Sequence, residues 1–171
     1  MIRALALALA AAPAAADVTL GAATKVVQGV HCRTEPVGSR TAEDTIAGSI
    51  DTYDARPEFR WLTDTVPAAL GVSFGLHVTV PAEMAGTIRY EVTHPPMGPE
   101  GVTVESWLSS IGTEPTYVGF HFENDYELEP GPWIMRGYSG DTLLYEAHFT
   151  VVAAELVPEI TGGCFGPDLF S

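Results

Sequence analysis

The run V-S-F-G-L-H-V-T-V, Val72 to Val80, alternates without a break. Val72, Phe74, Leu76, Val78 and Val80 fall on one side, and Ser73, Gly75, His77 and Thr79 on the other. A period of two places successive side chains on opposite faces of extended backbone, so the segment specifies a half-buried antiparallel strand and excludes a helix. The pattern recurs in T-I-R-Y-E-V-T, where Ile88, Tyr90 and Val92 point inward against Arg89 and Glu91, and in V-T-V-E-S-W-L from Val102. Further strands are expected at Lys25 to His31, around Thr45 to Thr52, at Phe59 to Val66 and at Thr116 to Phe122. Pro81, the Ala85-Gly86 step and the string His94 to Pro99 punctuate them. No window carries a 3.6-residue amphipathic pattern longer than two turns. With 13 Pro and 17 Gly spread between short strands, the expected fold is all-β, an antiparallel β-sandwich of about seven to nine strands.

The segment E-L-E-P-G-P-W-I-M-R-G-Y-S-G-D, Glu127 to Asp141, reads as architecture. Pro130-Gly131-Pro132 leads into a strand Trp133 to Tyr138, Ser139-Gly140-Asp141 makes a turn, and Thr142 to Val152 returns. Tyr145, Ala147, Phe149 and Val151 alternate there with Glu146, His148 and Thr150. This is a closing hairpin, and Trp133, Phe74 and Phe149 are expected in the structural core. The string Gly137-Tyr138-Ser139-Gly140 lacks the last Gly of a nucleophile elbow and is followed by no helix, so Ser139 is not read as a nucleophile.

Residues 1–16 have the form of a signal peptide: Arg3, an apolar run Ala4 to Ala12, and the small residues Ala14-Ala15-Ala16. Cleavage is expected near Ala16, before Asp17, leaving residues 17–171 as a single domain in the periplasm or outside the cell. No later stretch reaches the ~20 apolar residues of a spanning helix, so no transmembrane segment is expected. The chain carries 8 basic against 22 acidic residues, a net charge of -14, and loss of Arg3 makes it more negative still. Such a charge repels phosphate backbones and excludes nucleic acid as a partner. The two cysteines, Cys32 and Cys164, are expected to form one disulfide closing a loop of about 130 residues. No C-x-x-C and no Cys-His pairing supports zinc or thiol redox catalysis.

Three residue groups together resemble a known family. They are V-P-A-A-L-G-V-S-F-G from Val66 to Gly75, the Thr93-His94-Pro95-Pro96 step, and E-L-E-P-G-P-W followed by G-D-x-L-L-Y-E-x-x-F-T-V. The family is an exported bacterial one labelled domain of unknown function 3859, and the resemblance spans about Val66 to Val152. It implies an immunoglobulin-like β-sandwich and supplies no catalytic residue.

Three constellations bear on a site. Glu123, Asp125, Glu127 and Glu129 stand at alternate positions and would share one side if extended, an oxygen-rich set of the kind Ca²⁺ takes. A single strand does not wrap six to eight ligands round an ion, so the stretch is expected to be a solvated acidic loop. His94 with Met97, near Met84 or Met135, offers copper-type ligands but lacks the flanked cysteine of a blue-copper site. The strand histidines His77, His121 and His148 lack any Glu-x-x-His or His-x-His spacing and are expected to be sheet-face residues. No carboxylate sits in an apolar window that would raise its pKa toward neutrality, so no general acid or base is assigned.

The expected function is therefore a non-catalytic binding or structural module of the bacterial cell envelope, without a cofactor, contacting a protein or glycan partner. The alternative is a metal-binding (Ca or Cu) or hydrolytic protein with a site assembled from distant strands and loops.

Overall fold

The computed structural model describes residues 18–165; the expected leader and its cleavage before Asp17 lie outside them. Eleven strands form among the described residues: β1 (Val18–Leu20), β2 (Lys25–Cys32), β3 (Gly38–Thr41), β4 (Ser49–Thr52), β5 (Thr65–Ala68), β6 (Val72–Thr79), β7 (Gly86–Met97), β8 (Val102–Ile111), β9 (Thr116–His121), β10 (Gly131–Ser139) and β11 (Thr142–Ala153). A helix, α1 (Pro158–Phe165), follows. The count exceeds the seven to nine expected because β1, β3, β4 and β5 have only three or four residues each. Segments that short carry too little alternation to be seen in sequence.

The fold is an antiparallel β-sandwich. One sheet runs β1-β11-β10-β7-β8, with β5 also on β11, and the other runs β2-β6-β9. β1 and β5 share one edge of β11, β1 antiparallel along Tyr145 to Ala147 and β5 parallel along Thr150 to Ala153. Among the described residues the parallel strand is the one departure from antiparallel pairing. Where a strand was expected over Phe59 to Val66, only β5 and a single bridge between Trp61 and Val30 form. The string after Thr93 does not end β7. The strand continues to Met97 through a register shift between Thr93 and Met97, which accommodates the two prolines without a ladder donor.

Between the sheets, alternation does what the sequence requires of it. Val72, Phe74, Leu76, Val78, Ile88, Tyr90, Val92, Tyr145, Ala147, Phe149 and Val151 are all buried. Phe74, Phe122, Phe149 and Trp133 form an aromatic centre, with Trp133 and Phe122 fully enclosed. Each such side chain stabilises the fold by roughly 1.5–3 kcal/mol through burial alone. The indole Nε1 of Trp133 donates to the Glu129 carbonyl at 3.1 Å, so the one polar atom of the ring is satisfied inside.

The opposite face of β2-β6-β9 is also covered. Gly29, Gly75 and Gly119 stand in one row across its three strands. A Cβ on Gly29 would lie 2.6 Å from the Phe59 ring, and one on Gly119 2.1 Å from the Tyr117 hydroxyl. The absent side chains make the trough in which these two rings lie. Cys32, at the end of β2, is disulfide-bonded to Cys164 in α1, which fastens the C-terminal helix to the small sheet.

Candidate functional site

Among the described residues, β3 and β4 pair only with each other. Their hairpin is fastened to β8, the free edge of the larger sheet. Glu105 Oε1 accepts from the Ile46 amide at 2.6 Å, the Ser106 amide donates to the Asp44 carbonyl at 3.1 Å, and the Arg40 guanidinium donates to the Leu108 carbonyl. On the other flank Arg56 reaches the Pro115 carbonyl, one residue before β9, at 3.3 Å. β9 is in turn the edge of the smaller sheet. The hairpin and the segment after it thus bridge two sheet edges, and a cleft of about 520 Å³ lies among β4, β8 and β9.

β8 shows why this side of the sandwich is not filled. The apolar residues of V-T-V-E-S-W-L were expected to face in, yet Val104 and Leu108 are exposed. Glu105 lies opposite Val92 and Trp107 opposite Tyr90, on the inward side. An inward face of Glu105, Trp107 and Ser109 does not close on a neighbouring sheet as aliphatic side chains do. It leaves a lined space instead. Tyr53, Tyr90, Trp107, Tyr117 and Phe120 supply the aromatic part of that lining, with the Trp107 and Tyr90 rings 6.0 Å apart.

The polar part centres on three side chains. His121, the last residue of β9, places Nε2 3.4 Å from Asp51 Oδ2 on β4 and 3.2 Å from Glu123 Oε1. Arg33 lies 2.8 Å from the same Glu123 oxygen. Asp51 Oδ2 and His121 Nε2 are both shut off from solvent and neither has a hydrogen-bond partner. Tyr53, two residues beyond Asp51, has its hydroxyl pushed up to about 12, by burial first and then by the Asp51 carboxylate.

Deeper on the same face, His31 Nδ1 donates to the Cys32 carbonyl at 2.7 Å, which leaves Nε2 to accept from the Tyr117 hydroxyl at 2.9 Å. Burial lowers the pKa of His31 and raises that of Tyr117 well above the ordinary tyrosine range.

The acidic stretch from Glu123 to Glu129 is not a uniformly solvated loop. A 3₁₀ turn, Asp125–Glu127, breaks the alternate geometry. Glu127 is buried, its Oε2 accepting from the amides of Glu123 and Asn124 at 2.6 and 2.9 Å and its Oε1 from Asn124 Nδ2 at 3.0 Å. Its charge is spent on closing the turn. Asp125 and Glu129 are exposed, and Glu123 alone turns to the histidine.

The strand histidines are not brought together. His77 and His121 share the outer face of the small sheet, but His77 stands beside Tyr117 and donates to the Pro57 carbonyl at 2.7 Å, stacked on Phe59. His148 lies on the other sheet, 2.8 Å from Glu146. Nor does His94 turn to sulfur. It is buried against the Trp133 ring, with Nδ1 donating to the Pro95 carbonyl at 2.8 Å and Nε2 3.4 Å from Glu105. Met97 and Met135 are core residues. Ser139 closes the β10–β11 turn opposite Thr142.

Sequence reasoning missed Asp51, Tyr53 and Trp107. Asp51 lies on a four-residue strand and meets His121 only through the fold. The visible signal was in β8, where a Glu and a Trp occupy the positions that pair with the inward Val92 and Tyr90.

No curated protein matches the chain. Among solved structures, an immunoglobulin-like protein from Pseudomonas aeruginosa is 20% identical, covering 81% of this chain and 99% of that one, with a TM-score of 0.48. The family model described as Domain of unknown function (DUF3859) matches residues 12–151, and the chain belongs to that family.

Proposed function

We propose that the protein is a non-catalytic binding module of the bacterial cell envelope that receives a glycan in the cleft beneath the β3–β4 hairpin. The leader-like residues 1–16 support export, and the acidic surface suits a soluble exported module. One observation carries the assignment of the cleft: a lining in which Tyr53, Trp107 and Tyr117 alternate with carboxylates and hydroxyls. Ligand sites of this size combine aromatic walls with a few placed polar groups. The apolar faces of sugar rings lie on aromatic side chains, and their hydroxyls donate to Asp and Glu or accept from Arg.

Calorimetric titration of the purified chain with soluble peptidoglycan fragments and neutral oligosaccharides tests the proposal. Saturable binding to one of them, weakened about tenfold or more in Trp107→Ala through lost stacking, is the expected result. No saturable binding to any, or equal binding by Trp107→Ala, would refute it.

A further inference from the structure

We infer that Asp51, His121 and Glu123 form a binding site for a divalent transition-metal ion of the zinc type. The inference rests on the three side chains themselves and not on the cleft's taking a glycan, so either can fail alone. They come from two elements remote in sequence, β4 and the end of β9, and each offers a ligand atom within 4.8 Å of the other two.

The spacing fits a particular coordination. With metal–ligand bonds of about 2.0–2.1 Å, tetrahedral donors lie about 3.3–3.4 Å apart. The His121 Nε2 distances, 3.4 Å to Asp51 Oδ2 and 3.2 Å to Glu123 Oε1, are of that size. The Asp51 and His121 atoms are also among the side-chain atoms sealed from solvent without a hydrogen bond. Buried polar atoms ordinarily have partners, and two that converge on a third electron-pair donor are arranged as ligands are.

The donor set selects the ion. One imidazole nitrogen with two carboxylates suits Zn²⁺ and its neighbours, whereas Ca²⁺ takes six to eight oxygens and gains little from imidazole. Three protein ligands leave a fourth position facing the cleft, as in zinc sites that keep an exchangeable ligand. Arg33 works against the ion. Its guanidinium, 2.8 Å from Glu123 Oε1, already neutralises one carboxylate. A metal must displace it or take the other Glu123 oxygen, so Arg33 holds the affinity down.

Titration of the metal-stripped, intact chain with ZnCl₂, and separately with CoCl₂, tests the inference. Expected are one Zn²⁺ per chain and a Co²⁺ spectrum with the strong visible bands of a four-coordinate site. Asp51→Asn, nearly the same shape as the native residue, should weaken Zn²⁺ binding by at least about tenfold, since even outer ligands matter on that scale. His121→Gln should abolish the Co²⁺ bands, and Arg33→Gln should tighten binding. Thermal melts of the metal-free variants establish that each is folded. Absence of stoichiometric Zn²⁺ uptake by the folded chain would overturn the site. Uptake unchanged in both Asp51→Asn and His121→Gln would do so too, because it would place the ion elsewhere, on groups such as His77 or His148.

Discussion

The Trp133 indole on β10 stands edge-on to the Phe74 ring on β6, their centroids 5.6 Å apart and their planes 81° from parallel. The two residues belong to opposite sheets, and both are fully buried. This contact couples the sheets at the centre of the sandwich. Trp133→Ala removes the largest enclosed side chain and frees the Glu129 carbonyl, at a cost of about 3–5 kcal/mol. The thermal midpoint should fall on the order of ten degrees. A midpoint within two degrees or so of the parent would contradict the burial.

Glu105 fastens the hairpin that roofs the cleft. Its buried carboxylate takes the Ile46 amide and lies beside His94, whose side chain is wholly enclosed. Glu105→Ala leaves that amide and a buried imidazole without their neighbour, a loss of roughly 1–3 kcal/mol. The effect should be local first: hydrogen exchange at Ile46 rises well before exchange in β6 or β10. Unchanged protection at Ile46 would show that the hairpin is held by other contacts.

His31 gives the stability a pH dependence of known sign. It is buried on a face that also carries His77 and His121, against the Tyr117 hydroxyl, and its pKa is lowered from 6.5, chiefly by burial. His77 is lowered too, again chiefly by burial. A histidine with a depressed pKa binds fewer protons folded than unfolded. The stability it contributes is therefore complete above the unfolded value and is lost as pH falls from about 6.5 toward the lower, folded value. Urea melts between pH 7.5 and pH 5 (values on the order of one unit either side of that window) should show declining stability on acidification. The decline should shrink in His31→Gln, whose amide oxygen still accepts from Tyr117. An equal decline in the variant would assign it elsewhere.

The sandwich was legible in the sequence because burial on one face forces a period of two, and β6, β7 and β11 keep that period over eight to twelve residues. The site was not legible for the complementary reason. β8 keeps the period but inverts its chemistry, with Glu105 and Trp107 inward and Val104 and Leu108 outward, and hydrophobicity alone then assigns the wrong face. Asp51 and His121 meet only because β3 and β4 cross from one sheet edge to the other, a long-range placement that no local spacing encodes. Glu127 shows the converse limit. Its even spacing with Glu123 and Glu129 suggested a shared face, but a 3₁₀ turn, closed by that same carboxylate, takes it inside. A local rule that fails without an evident stabilising gain marks a place where the chain serves something besides its core.

The proposed function puts the ligand in the cleft beneath the β3–β4 hairpin. The most direct measurement is an amide and indole NMR shift map of the ¹⁵N-labelled chain, titrated with the oligosaccharide or peptidoglycan fragment that gives saturable heat. Progressive shifts are expected at the Trp107 indole, at Asp51 and Tyr53, and along Tyr117 to His121, with the Trp133 indole unmoved. Shifts confined to the outer face of β10 and β11, around Arg136, Glu146 and His148, would contradict it.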